Sequence, residues 1–209
     1  MAHGDDRGLR LPPRVAPQQV VIVPIVRDSD RADVLRLAAA VADELRTAAV
    51  RVRVDDRSEV RPGFKFNEWE LKGVPLRIEL GSRDLTAGTV TVARRDTGEK
   101  QQIPLARVTA AVAELLSDVQ ASLLESARAE LERRTLRAPG GYNELIEYLR
   151  AAAGFVAAPW CGRVECEAQV KDDSSATIRC LPLDEQQERG DCVCCGRAAA
   201  ATAMWAQAY

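Results

Sequence analysis

With 209 residues, a net charge of −2 and 29% charged side chains, the chain has room for one large or two small domains. No apolar run approaches the ~18 residues of a membrane span, and the near-zero charge balance excludes a broad electrostatic coat for nucleic acid. Only four of its 29 basic residues are Lys, so 25 are Arg, the better fork for planar, bidentate contacts.

The first 18 residues are rich in Gly, Pro and Asp. Pro12, Pro13 and Pro17 rule out a regular helix there, so a linker is expected. Residues 20–25 (V-V-I-V-P-I) form a continuous apolar run, the mark of a strand buried on both faces. Asp30 can cap a helix reaching about Thr47, with Val34, Leu37, Val41 and Leu45 on one face. Val50, Val52 and Val54 alternate as a second strand. Residues 64–71 read as a short helix, 75–80 as a third strand and 89–94 as a fourth. The turn Asp96-Thr97-Gly98-Glu99 leads into a fifth strand ending near Pro104. From Leu105 to about Arg134 the stripe Val108, Val112, Leu115, Val119, Leu123, Ala127 marks a long helix whose apolar face is core packing.

Strand–helix–strand–helix–strand implies a right-handed parallel unit, and the last two strands add as a hairpin. The expected class is therefore α/β: a mixed five-stranded sheet with flanking helices, followed by a small second α/β domain. Residues 137–141 (R-A-P-G-G) are the best boundary, after which Leu145, Ile146 and Leu149 mark a short amphipathic helix.

All six cysteines lie in the last 49 residues. Cys161 and Cys166 (C-G-R-V-E-C) form one close pair, and Cys192 and Cys195 (C-V-C-C-G) another. Two short-range thiolate pairs can close a tetrahedron around Zn²⁺, and a closed tetrahedron staples a fold rather than performing chemistry. Gly196 allows the positive φ that turns backbone amides toward a sulfur. Cys194 competes with Cys195 for the fourth position, and C-x-x-C-G favours Cys195. Cys180 stands alone between the pairs and is expected to be a small buried residue. Disulfides are the competing reading, disfavoured because no signal peptide starts the chain. His3, the only histidine, is far from the cysteines, which argues against a catalytic metal.

Three stretches together resemble one family. They are H-G-D-D-R-G-L-R-L-P-P-R-V-A-P-Q-Q-V-V-I-V-P-I (3–25), K-F-N-E-W-E-L-K-G-V-P-L-R-I-E-L-G-S-R-D-L (65–85) followed by V-A-R-R-D-T-G-E-K (92–100), and the cysteine tail ending in M-W-A-Q-A-Y at Tyr209. In this order they are similar to prolyl-tRNA synthetases of the archaeal and eukaryote-like type. The resemblance implies a cytoplasmic, homodimeric class II ligase that uses ATP and Mg²⁺ to attach proline to tRNA(Pro). It implies that 1–17 are the exit of a catalytic domain or a linker, 18–136 an anticodon-binding domain and 140–209 a C-terminal zinc-binding domain. The family's catalytic motifs have no counterpart in these 209 residues, so the chain by itself is expected to be inactive as a ligase.

The resemblance also places Glu70, Arg77, Arg83 and Lys100 at positions that read anticodon guanines. Guanine offers N1–H and N2–H₂ donors to a carboxylate, and O6 and N7 acceptors to Arg or Lys, provided its loop base is unstacked. Phe66 and Trp69 are candidates to stack on a base, with helix-to-sheet packing the competing role. Arg94 on the following hairpin is a candidate phosphate contact, and Arg14 a surface or domain-interface residue. The resemblance holds the terminal Tyr209 near the family's active site. Two other readings keep a similar fold: a stand-alone RNA-binding accessory protein without ligase activity, and a structural zinc module for protein contacts.

Overall fold

The computed structural model describes residues 3–151, 154–183 and 190–208. The chain divides into two compact units, residues 1–127 and 128–209.

The first unit begins with a small antiparallel ladder, β1 (Gly4–Asp5) with β2 (Gly8–Leu9). Its main sheet has the order β4-β3-β5-β6-β7, built from β3 (Val20–Ile25), β4 (Val52–Val54), β5 (Leu76–Gly81), β6 (Thr89–Arg94) and β7 (Lys100–Pro104). β3 pairs in parallel with β4 and β5, whereas β5–β6 and β6–β7 are antiparallel, so the sheet is mixed. The chain steps from β3 to β4 through α1 (Arg31–Thr47), then crosses back past β3 to β5 through α2 (Pro62–Leu71). Reversing direction across a twisted sheet puts consecutive helices on opposite faces.

The two faces are filled accordingly. Val20, Ile22, Leu76, Ile78, Leu80, Val90 and Val92 face a core shared with Val34, Val41 and Leu45 of α1 and with Val112, Leu115 and Val119 of α4 (Val108–Arg133). Val21 and Val23 point the other way, against Trp69 of α2 and Val74. This two-sided burial explains why β3 is apolar throughout rather than alternating. The expected stripe on α4 stays with the core only as far as Leu123, and Ala127 is exposed.

Three local readings change. Within the stretch expected to be a linker, the segment carrying the N-terminal ladder is bonded to the sheet unit, with Leu11 N–H donating to Gly73 O at 3.2 Å. Asp30 stands at the N-cap of α1 but makes no cap hydrogen bond; its Oδ1 accepts from Arg27 N–H at 2.9 Å and its Oδ2 from the Ser82 hydroxyl. Ser82 opens α3 (Ser82–Ala87), a short helix between β5 and β6 that the apolar pattern did not mark because none of its residues is buried.

The second unit has a sheet of order β10-β11-β9-β8, from β8 (Thr135–Arg137), β9 (Phe155–Trp160), β10 (Ala176–Cys180) and β11 (Ala201–Gln207). α5 (Tyr142–Arg150) and α6 (Val164–Ser174) supply Leu145, Ile146, Leu149 and Val170 to its core, with Val156, Ala203 and Trp205 from the strands. Thr135–Arg137 pairs in parallel with β9, so this stretch belongs to the second sheet although the expected first domain ran to residue 136. Cys180 is exposed, not buried: the ladder between β10 and β11 shifts register between Ile178 and Cys180 and turns it outward at the strand end. No helix among the described residues is long and apolar enough to cross a membrane.

Candidate functional site

The sheet register assembles a polar platform on the α2 side of the first unit. Val21, Arg77, Ala93 and Lys100 form one rung across β3, β5, β6 and β7. Side chains on one rung face the same way, so Arg77 and Lys100 flank the small Ala93, two strand spacings or about 10 Å apart. Glu79 lies two residues beyond Arg77, on the same face. Its Oε1 accepts from Arg77 Nη2 at 2.8 Å and lies 2.8 Å from Lys100 Nζ. Burial pushes the Glu79 carboxyl up, but the bonds from Lys100 and Arg77 outweigh it and hold it below the usual carboxylate range. Phe66 covers the cluster, with the Arg77 guanidinium 4.3 Å and the Lys100 ammonium 5.8 Å from its ring centre.

Glu70, at the end of α2, faces the same cavity of about 180 Å³ as Arg77 and Lys100, together with Arg7, Trp69 and Arg95. Three of the four anticodon candidates are thus brought together. Arg83 is not: it is exposed on α3 and does not line this cavity. Arg94 lines the cavity, yet its guanidinium is held by Asp96, with Nε and Nη2 donating at 3.0 and 2.7 Å. The Arg94 guanidinium is thus committed to an internal ion pair and is not a free phosphate contact.

Trp69 is 7% exposed and packs between α2 and the sheet, which excludes base stacking by its ring without rearrangement. Its Nε1–H donates to Asp55 Oδ2 at 2.7 Å. The Arg57 guanidinium beside Asp55 holds its carboxyl well below the usual carboxylate range. The buried Lys65 of α2 donates to Asp55 O at 2.9 Å. This group fixes α2, and with it Phe66 and Glu70, against the end of β4.

Sequence reasoning missed the contribution of the N-terminal ladder. Arg95, 6% exposed, donates to both oxygens of Asp5 at 2.6 and 3.0 Å and to Glu70 O at 3.0 Å. Arg7 Nη1 lies 3.0 Å from Glu70 Oε1. Asp5 and Arg95 stand 90 positions apart in the chain, beyond the reach of a local pattern. Glu79 left a clearer sign, the alternation R-I-E along β5.

In the second unit the sulfurs of Cys161, Cys166, Cys192 and Cys195 lie within 4.8 Å of one another. Cys161 Sγ is 3.6 Å from Cys166 Sγ and 3.7 Å from Cys195 Sγ. Thiolates at ~2.3 Å around a tetrahedral ion are separated by about 3.8 Å, so the four residues could hold a metal ion. Cys161 follows β9, Cys166 lies in the first turn of α6, and Cys192 and Cys195 sit in a turn closed by Gly196 N–H donating to Cys192 O at 2.9 Å. Gly196 has φ of +69°, which glycine adopts without a Cβ penalty. Burial pushes the Cys192 thiol up, but the amides of Cys195, Cys194 and Cys161 outweigh it and bring it down to about 7, which favours a thiolate. The Cys166, Cys194 and Cys195 thiols are all pushed up by burial, so this does not separate Cys194 from Cys195.

A family model described as "Anticodon binding domain" matches residues 19–115, and one described as "Prolyl-tRNA synthetase, C-terminal" matches residues 142–209. The chain belongs to the prolyl-tRNA synthetase family. Among its relatives, the proline–tRNA ligase of Lachnospira eligens is 42% identical over 209 residues, covering the whole chain and 43% of the relative. That of Rubrobacter xylanophilus is 43% identical over the same span and share. That of Cenarchaeum symbiosum is 42% identical over 210 residues, again 43% of its length. The chain therefore spans less than half the length of these curated relatives and matches the family's C-terminal region. The terminal Tyr209 lies outside the described residues.

Proposed function

We propose that residues 18–136 read the anticodon of tRNA(Pro) and that residues 140–209 form a domain stapled by Zn²⁺. The observation that carries this reading is the convergence of Glu70, Arg77 and Lys100 on one cavity, reached from three different elements. A carboxylate opposite two cations complements guanine, whose Watson–Crick edge presents donors beside the O6 acceptor. Adenine offers no N1–H and reverses the exocyclic group, leaving Glu70 without its partners. Arg83, outside the cavity, contributes a contact to a neighbouring nucleotide. The near-neutral charge of the protein fits recognition through base edges more than through phosphates.

The zinc ligands are Cys161, Cys166, Cys192 and Cys195. With four protein sulfurs the ion has no open position, and its contribution is to fix the cysteine loops to β9 and α6. The chain serves in a cytoplasmic, homodimeric proline–tRNA ligase, in which ATP, Mg²⁺ and proline are bound by the part of the relatives that the match does not cover.

The test is a binding titration with anticodon stem-loops carrying UGG or a guanine-to-adenine change. The wild-type chain prefers the guanine loop by ~1–3 kcal/mol for each good bidentate contact. Glu70→Ala lowers that preference more than it lowers overall affinity. Equal affinity of the wild-type chain for both loops refutes anticodon reading by this unit.

A further inference from the structure

The geometry points to Arg7 as a positioning residue of the base-reading site, one that sets guanine specificity by holding the Glu70 carboxylate. This inference rests on the anticodon reading and adds to it a residue from outside the domain assigned to it. Arg7 Nη1 meets Glu70 Oε1 at 3.0 Å, at the mouth of the cavity that Arg77 and Lys100 line. The same Nη1 lies 3.7 Å from where a Cβ on Gly98 would stand, so the guanidinium bridges α2 and the β6–β7 turn across one end of the cavity.

The ladder that carries Arg7 is built into the unit rather than resting on it. Asp5 is clamped by the buried Arg95, and its carboxyl is held well below the usual carboxylate range by that guanidinium. Gly8 (φ +122°) and Gly73 (φ +72°) let the ladder and the end of α2 interlock: a Cβ on either would stand 2.6 Å from Leu71 Cα or Leu9 Cβ respectively. With both backbones this close, the position of Arg7 relative to Glu70 is set to within a side-chain rotation.

A carboxylate has about four lone-pair sites on two oxygens. Arg7 engages Oε1 from one side, leaving Oε2 and the remaining lone pair of Oε1 to accept N1–H and N2–H₂ of guanine. An unheld Glu at a helix end samples several rotamers, and two parallel hydrogen bonds to a base require one of them. Arg7 thus acts through Glu70, and its loss costs discrimination rather than general affinity.

The experiment titrates the wild-type chain, Arg7→Ala, Arg7→Lys, Glu70→Ala and the double variant against the UGG loop and its guanine-to-adenine counterpart. Thermal unfolding confirms that each protein is folded, and the exposed Arg7 side chain makes its substitution benign for folding. Arg7→Ala is expected to reduce the guanine-to-adenine affinity ratio about tenfold, the scale of one hydrogen bond to a charged group. Arg7→Lys restores part of it, and Arg7→Ala in the Glu70→Ala background changes the ratio no further. An unchanged ratio in Arg7→Ala, an equal fall in affinity for both loops, or a further loss of discrimination in the double variant overturns the inference while leaving the anticodon reading in place. Equal binding of both loops by the wild type overturns both.

Discussion

Arg77 and Lys100, on β5 and β7, share a single acceptor: Arg77 Nη2 and Lys100 Nζ both lie 2.8 Å from Glu79 Oε1. One buried carboxylate therefore orients both cations of the proposed base-reading cavity and keeps them from acting as free phosphate hooks. Glu79→Gln keeps the shape and removes the charge. The expected result is weaker discrimination between the guanine and adenine loops with unchanged or higher affinity for the adenine loop. The salt dependence of binding should steepen, by up to ~0.7 in log–log slope for each phosphate that a released cation engages. A variant with the wild-type slope and selectivity would show that Glu79 does not control the two cations.

Asp55 holds α2 in place, and its contribution should be visible in the pH dependence of stability. Its carboxylate is 3% exposed and accepts from Trp69 Nε1, Arg57 Nε and Arg57 Nη2 at 2.7, 2.8 and 2.7 Å. Asp55→Asn leaves the buried Lys65 without its counter-charge and Arg57 with Glu68 as its remaining carboxylate partner, and breaking a buried pair from one side costs ~3–5 kcal/mol. The folded carboxyl titrates below the ordinary aspartate value of ~3.9, so its contribution is complete above that value and is lost as pH falls from there toward the folded pKa. Denaturant unfolding should show a wide gap between wild type and Asp55→Asn at neutral pH, narrowing below about pH 4. A gap independent of pH would assign the loss to shape alone.

The parts of this fold that were legible in sequence are those whose cause is local. Val20–Ile25 is continuous in apolar residues because Ile22 and Val21 face different cores. Thr89–Arg94 and the turn after it follow from β-branched alternation and Gly98. The four cysteines that could hold a metal ion come as close pairs, so spacing alone suggested them. Cys180 was misread because a register shift cannot be seen in a single strand's pattern. The N-terminal ladder was read as a linker because its strands are two residues each and its bonds are to Arg95 and Gly73, far along the chain. Glu70, Arg77 and Lys100 look like ordinary surface charges by composition. Only the resemblance singled them out, and only the register puts Arg77 and Lys100 on one rung.

The interlock between Gly73 and the N-terminal ladder predicts an effect on both fold and recognition. Ala at position 73 would need positive φ and would drive its Cβ to 2.7 Å from the Leu9 backbone. Gly73→Ala should lower stability by about 1–3 kcal/mol. Because the displaced ladder carries Arg7, it should also reduce guanine selectivity as Arg7→Ala does. Limited trypsin digestion offers a direct check, since cleavage after Arg7 and Arg10 should accelerate. Unchanged cleavage and selectivity would show that the ladder is not held by this contact.

Metal removal should unfold the second unit selectively. Its core is small, and among the described residues the cysteine loops are tied by a few backbone bonds, among them Val193 N–H to Pro159 O at 3.0 Å, Ala200 N–H to Trp160 O at 2.8 Å, Ala199 N–H to Gly190 O at 3.0 Å and the bridge between Asp191 and Ala198. A structural site of four thiolates contributes folding free energy directly, so apo protein should lose order there first. Elemental analysis of protein purified without chelator should give one zinc per chain. A strong chelator should change the emission of Trp160, which precedes Cys161 and donates its Nε1–H to Arg163 O at 3.2 Å, while the Trp69 environment persists. Variants that keep one tryptophan each, Trp69, Trp160 or Trp205, with the other two changed to Phe, separate the three signals. Among the cysteines, Cys195→Ser should reduce zinc content and stability, whereas Cys194→Ser should retain the metal. If Cys194→Ser loses zinc and Cys195→Ser keeps it, the fourth ligand is Cys194. If the protein holds no metal and the chelator changes nothing, the close approach of the four sulfurs has another cause, and the second unit must be held by its α5–α6–sheet core alone.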